Sequence, residues 1–313
     1  MTENNILISK RLDYKDNATL RAQKTSKIIN KTLVYLFLTL LALFVIIPFY
    51  WMLNISFQST PQAMESITPA LFPSDFAAGN YVRIFTQVVP GSNINFFRFL
   101  ANTLIVASVT TTIGTLFAIL VAFALAKFNF KGRELVFTIL LATMMIPSEM
   151  FLVTNFVTVA RLGWRNDPGL GSYLAMIIPF TVSVFHIFLL RQTFRQVPNE
   201  LYYAAKIDGC KDMKYLWTVM VPIAKSSIIT IVILRVMGAW NAFTWPMLVA
   251  HPTTRLVTAW LRGTFLDNVG GMLVPVINLQ MAATVAVTVP LLTLFVFARK
   301  YIMSGISRSG TKG

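Results

Sequence analysis

The chain has 313 residues, of which 56% are apolar or aromatic and 12% are charged, about half the charged share of a soluble domain. That composition excludes an ordinary soluble enzyme. A formal charge of +15 would suggest a nucleic-acid partner in a soluble protein, but the basic residues fall between long apolar runs, so membrane lipid is the expected partner and nucleic acid is not.

Residues 1–31 read as a basic N-terminal tail carrying Lys10, Arg11, Lys15, Arg21, Lys24, Lys27 and Lys31. Six apolar runs follow, at approximately 32–53, 100–126, 135–160, 172–190, 226–249 and 276–298, each close to the ~20 residues that cross about 30 Å of hydrocarbon. The hydrocarbon offers backbone groups no water and period-2 alternation is absent, so these runs are predicted as helices. The first exceeds the ~7–15-residue core of a cleavable leader and lacks an A-x-A-like site behind it. It is therefore expected to be retained. Residues 54–99, with Pro61, Pro69, Pro73, Pro90, Gly79 and Gly91, are too polar to span and too punctuated for one long helix. They predict a partly ordered external loop.

Cytoplasmic loops carry the excess of Lys and Arg. The tail, residues 127–134, residues 191–225 and the C-terminal residues 299–313 hold 20 of the 27 basic residues, and the alternate loops hold six. Both termini are thus expected in the cytoplasm. The fold class is all-α: a polytopic membrane protein of six transmembrane helices, with five of them in a core over 100–298 and a cytoplasmic tail over 299–313. A single cysteine, Cys210, excludes an intrachain disulfide. His186 and His251 make no ligand pattern, so no metal site and no catalytic residues are expected.

The segment between the fourth and fifth runs is the most informative. Pro198-Asn199 suits a helix start, Glu200 its positive end, and Asp208-Gly209 a stop and turn. Tyr215, Leu216, Val219 and Met220 then recur at helical spacing, and Pro222 is expected to end or kink that second helix. On pattern alone this is a basic connector lying on the inner membrane surface.

The residues say more. Tyr203-Ala204-Ala205, Gly209 and Val219-Met220-Val221-Pro222 resemble the EAA loop of ABC importer permeases, roughly E-A-A-x3-G-x9-I-x-L-P. Both alanines, Asp208, Gly209 and Pro222 are kept; Tyr203 replaces Glu and Cys210 replaces a small Ala. The resemblance covers about residues 33–313 and is nearest to the carbohydrate subclass with the maltose-type second permease. Asn102-Thr103-Leu104, Ala122 to Lys127 with Phe130 and Gly132, Met145-Ile146-Pro147 with Glu149, Gly163, Trp240-Asn241 and Gly305-Ile306-Ser307 with Gly310 to Gly313 look similar to motifs of that group.

The resemblance implies a multi-pass permease subunit of a bacterial cytoplasmic membrane, half of a translocation path for a sugar or oligosaccharide. Its implied partners are a second permease subunit, an ABC ATPase dimer and an extracellular or periplasmic solute-binding protein. The EAA loop, 198–222, would couple to the ATPase through Glu200, Tyr203, Ala204, Ala205, Asp208, Gly209 and Pro222, with Tyr203, Ala204 and Ala205 packing into the ATPase groove. The tail residues Gly310, Lys312 and Gly313 would lie near it. No cofactor is expected on this chain: Gly305-x4-Gly310 is followed by Thr311-Lys312 and by no helix, so it is not a phosphate loop. ATP is the partner subunit's.

Within the runs, Arg235 lies ten residues after Lys225, about 15 Å deep. It is either a structural cation paired with Glu149 or with backbone carbonyls, or a substrate contact. Trp240, Phe243 and Trp245 suit sugar stacking or helix packing, and Asn241 a substrate hydroxyl or a neighbouring helix. Arg235, Trp240, Asn241 and Glu149 form the candidate substrate path. His186 is a proton sensor or, more simply, a packing histidine. Alternatives to a sugar importer are an ABC permease for another solute, or a secondary transporter needing no ATPase. A secondary transporter would call for intramembrane acidic or histidine relays, of which the runs offer little.

Overall fold

The computed structural model of the chain describes residues 3–65, 70–88, 94–269 and 272–307. It is helical nearly throughout, as an all-α polytopic membrane protein should be. Helix α1 (Glu3–Ser56) begins inside the predicted tail and runs unbroken through the first apolar run. Two short helices, α2 (Thr60–Glu65) and α3 (Gly79–Thr86), punctuate the predicted external loop. Helix α4 (Phe96–Lys127) matches the second run.

The third, fourth and fifth runs do not form single helices. The third divides into α5 (Arg133–Thr143) and α6 (Phe151–Arg161), separated by Met144-Met145-Ile146-Pro147. Pro147 has no N–H for the helical ladder and pushes the residue before it away from helical geometry. The fourth divides into α7 (Leu170–Ile177), with a 3-10 turn containing Pro179, and α8 (Val184–Gln196), bent by 49° from one another.

After α8, α9 (Asn199–Ile207), α10 (Asp212–Tyr215) and α11 (Val221–Ile223) lead into α12 (Lys225–Trp240). A π turn over Leu216–Met220 precedes Pro222, whose ring nitrogen cannot donate to the carbonyl four residues back. The sharp bend expected at Pro222 falls two residues later: the chain turns by 82° between Ile223 and Lys225. The fifth run then breaks after Trp240, and α13 (Thr244–Val249) forms a separate short helix. Helix α14 (Val257–Gly263) and an antiparallel hairpin, β1 (Leu266–Val269) with β2 (Met272–Pro275), precede α15 (Ile277–Ser307). Helix α15 continues past the sixth run into the predicted tail.

Among the described residues, three helices are long and apolar enough to cross a membrane, and up to five spans result if each bent pair counts as one. Of the six predicted runs, three are met by unbroken helices, α1, α4 and α15, and the others by divided or bent ones. Helix α4 is the centre of the fold, packing on α8 and α12; α15 packs on α12 and carries α1 on its outer side.

Asn102 and Thr103 explain why the start of α4 is so firmly placed. The Asn102 side chain donates to the carbonyls of Thr253 and Arg255, both at 3.0 Å, and accepts from the Tyr173 hydroxyl at 2.6 Å. The Thr103 hydroxyl accepts the backbone N–H of Val257 at 2.9 Å. Both side chains are buried, so each bond satisfies a group that water cannot reach. Two residues thereby hold α4, α7 and the segment before α14 in one register.

Candidate coupling loop and central cavity

Helix α9 has two faces of different character. Tyr202 and Ala205 are half-buried against the core formed by Phe123, Phe194, Tyr215 and Met220, as is Cys210 just beyond the helix. Leu201, Tyr203, Ala204 and Ile207 face outward, Tyr203 at 60% exposure and Ile207 at 87%. The predicted trio Tyr203-Ala204-Ala205 is thus divided: two point out, while Ala205 turns to this chain's own core. Glu200, Asp208, Gly209 and Pro222 are exposed.

The turn after α9 is closed by backbone and side chains together. Gly209 has φ +72°, and the N–H of Cys210 reaches the carbonyl of Ala205 at 2.8 Å, the helix stop that a residue in the left-handed region allows. The Tyr202 hydroxyl donates to Asp212 at 2.6 Å, and Lys206 pairs with the same carboxylate oxygen at 2.6 Å. Burial, then the adjacent Asp212 carboxylate, pushes the Tyr202 phenol up to about 12. It stays protonated and donating at any physiological pH.

Two buried cations join this loop to the spans. Lys127, at the end of α4, donates to the carbonyl of Val197 at 2.7 Å and to the side chain of Asn199, the first residue of α9, at 2.9 Å. Arg191, 1% exposed on α8, places one guanidinium nitrogen 2.7 Å from each oxygen of Glu134, donates through Nε to the carbonyl of Leu125 at 3.1 Å, and lies 3.7 Å over the ring of Phe137. The beginning of α9, the last turn of α4, the first turn of α5 and α8 are therefore linked by charge-assisted bonds. Sequence reading counted Lys127 and Arg191 as loop charge and missed this role.

Between α4, the α7–α8 break and α12 lies a cavity of about 780 Å³. Arg235, Glu149 and His186 line it, with Phe243 and Trp245. Arg235 is 7% exposed and donates to the carbonyl of Thr181 at 3.1 Å, a carbonyl that lies at the break between α7 and α8. Trp240 and Asn241 are placed elsewhere: Trp240 is buried with Val257 and Trp260, and Asn241 caps α12 by donating to the carbonyl of Met237 at 2.9 Å. Gly310, Lys312 and Gly313 lie outside the described residues. Among the described residues no group of three or more His, Cys, Asp or Glu is placed to hold a metal.

The chain is similar along nearly its whole length to known transport proteins. It is 29% identical to the arabinooligosaccharides transport system permease protein AraQ of Halalkalibacterium halodurans, over 93% of this chain and 99% of that one. It is 30% identical to the probable ABC transporter permease protein MG189 of Mycoplasma genitalium, over 94% of this chain and 92% of that one. A crystal structure of a bacterial ABC transporter involved in import of the acidic polysaccharide alginate shares the fold, with TM-score 0.75 and 23% identity over 88% of this chain and 97% of that one. Residues 114–308 match the family of binding-protein-dependent transport system inner membrane components, and the chain belongs to that family.

Proposed function

We propose that this chain is one of two membrane subunits of an ATP-driven sugar or oligosaccharide importer, fed by a solute-binding protein in a bacterial cytoplasmic membrane. ATP is hydrolysed on a separate ATPase dimer, with which this chain engages through residues 198–222. The observation that carries the reading is α9 itself: it exposes Leu201, Tyr203, Ala204 and Ile207 beside Glu200 and Lys206, and its first residue is bonded to the end of α4. A partner that covers Tyr203, Ala204 and Ile207 would bury apolar surface, and any movement of that partner would pass through Lys127 and Asn199 into the central helix. Closure of the ATPase on ATP then opens the path outward. The names of the relatives support sugars over other solutes.

The test is co-purification of the ATPase subunit with tagged permease from native membranes. Recovery is expected with the unaltered chain and loss with Gly209→Pro or deletion of 200–210. Recovery undiminished by both changes would refute coupling through this loop, and uptake without any ATPase would establish the secondary-transporter alternative.

A further inference from the structure

Helix α1 presents a surface that no described part of this chain covers: residues 24–50 are exposed around the whole circumference of the helix. Its apolar run over 32–53 is about 33 Å long at ~1.5 Å per residue, close to the ~30 Å of hydrocarbon. Lys31 therefore stands at one boundary of the membrane. Lys27 and Lys24 follow about 6 and 10 Å further out, across the layer that lipid headgroups fill.

Spacings of three, four and four residues put Lys24, Lys27, Lys31 and Tyr35 on one face of the helix. The Lys31 ammonium lies 5.8 Å over the Tyr35 ring. Ile28, Lys31, Thr32, Tyr35, Leu36 and Thr39 line an open groove of about 410 Å³ that leads from the lysines into the apolar run. The face thus has a cationic head and an apolar floor. No Asp or Glu occurs between residues 24 and 56, and among the described residues none of the three lysines is in an ion pair. Two other basic residues near helix ends are used internally, Lys127 on Val197 and Asn199 and Arg191 on Glu134 and Leu125. The lysines of α1 face outward from the chain.

We propose that this face of α1 binds an anionic phospholipid, its phosphate held by Lys24, Lys27 and Lys31 and one acyl chain lying in the groove beside Tyr35. The inference concerns α1 as a membrane span and is independent of what the transporter carries. Lysine ammonium groups only donate and act as point charges toward a phosphodiester. A zwitterionic headgroup brings its own cation among the lysines and loses that attraction. Tyr35 sits where a ring with a polar tip settles at a bilayer boundary. Each lysine near an anionic surface contributes roughly fivefold in affinity, so three together contribute on the order of 100-fold.

The experiment uses the assembled transporter in mixed micelles, with Cys210→Ala, the cysteines of the other subunits replaced, and Thr39→Cys carrying a fluorophore in the groove. Quenching is measured with phosphatidylglycerol brominated in its acyl chains, and separately with phosphatidylcholine brominated likewise. The anionic lipid is expected to half-quench at a mole fraction at least tenfold lower. Lys24→Gln, Lys27→Gln and Lys31→Gln together should remove that preference, while Lys10, Arg11, Lys15 and Arg21 keep the charge that sets orientation. Adding Ser26→Lys, Ile29→Lys and Asn30→Lys to the triple variant returns the charge on the opposite face and should not restore the preference. Equal quenching by the two lipids, or a preference retained in the triple variant, would overturn the proposal. A preference restored from the opposite face would overturn it in favour of surface charge in general. Quenching by neither lipid would replace the lipid with a covering protein surface, and loss of the preference on adding inorganic phosphate at constant ionic strength would replace it with a free anion. If Thr39→Cys fails to assemble, Thr32→Cys on the same groove takes its place.

Discussion

Gly114 on α4 leaves the space that the guanidinium of Arg235 on α12 occupies: a Cβ built at Gly114 would stand 2.0 Å from Nη1 of Arg235 and 2.4 Å from the carbonyl oxygen of Thr181. The absent side chain is what allows a cation from one helix to reach the open carbonyl of another. Gly114→Ala should therefore displace both groups and destabilise the protein by about 1–3 kcal/mol, the usual cost of overpacking. Thermal unfolding of the purified transporter measures it. An unchanged midpoint would mean that α4 and α12 separate freely at this level.

The Arg191–Glu134 pair predicts a pH dependence. The hydrogen bond from Arg191 holds the Glu134 carboxyl below its ordinary 4.5, with further lowering from the Arg191 charge and from Arg133. A carboxyl favoured in its charged form by folding contributes stability fully above the unfolded value and loses it as pH falls through the lowered folded value. Glu134→Gln should therefore unfold at a lower temperature than the unaltered protein at pH 7, and the gap should close as pH falls below 4.5. A gap independent of pH would assign the effect to packing instead.

Ile207 separates association from folding. At 87% exposure it supports no core, so Ile207→Asp should change stability by no more than about 0.5 kcal/mol. If α9 is buried by the ATPase, a charge placed there costs about 2 kcal/mol or more of binding, roughly a 30-fold loss of recovered ATPase. Recovery equal to that of the unaltered chain would move the contact off this face of α9.

Asn102→Ala should orphan the carbonyls of Thr253 and Arg255 and the hydroxyl of Tyr173 in a single change. Leaving buried groups unsatisfied costs about 1–3 kcal/mol. The substitution should lower the unfolding midpoint without altering the apolar length of α4. Asn102→Asp keeps the acceptor for Tyr173 but sets a carboxylate against two carbonyl oxygens, and should be at least as damaging.

Several features were legible in the amino-acid order because they depend on neighbours along the chain. The Gly209 turn, the start of α9 at Asn199 and the apolar length of α4 are local: backbone freedom, a capping position and a run of apolar residues decide them. The motif resemblance led to the family for the same reason. The breaks at Met144 to Pro147, at Thr181 to Ser183 and after Trp240 were not legible, because an apolar run has the same hydropathy whether its helix is continuous or bent. Pro147 and Pro179 were there to be read, yet proline is tolerated within α1 at Pro48 and within α15 at Pro290. The residue alone does not decide.

What the sequence determined by itself is the membrane as solvent, helices as the only economical backbone for it, and a loop whose spacing resembles the motif of a transport family. What only the tertiary structure decided is the fate of the charges. Among the basic residues that sorted together by loop, Arg191 and Lys127 are buried and hold four helix ends together, while Arg235 fills a space that Gly114 leaves open beside the Thr181 carbonyl. The physical reason is that burying a cation is favourable only where acceptors converge on it. Here those acceptors come from positions 54 to 72 residues away in the chain, a distance over which no local pattern reaches.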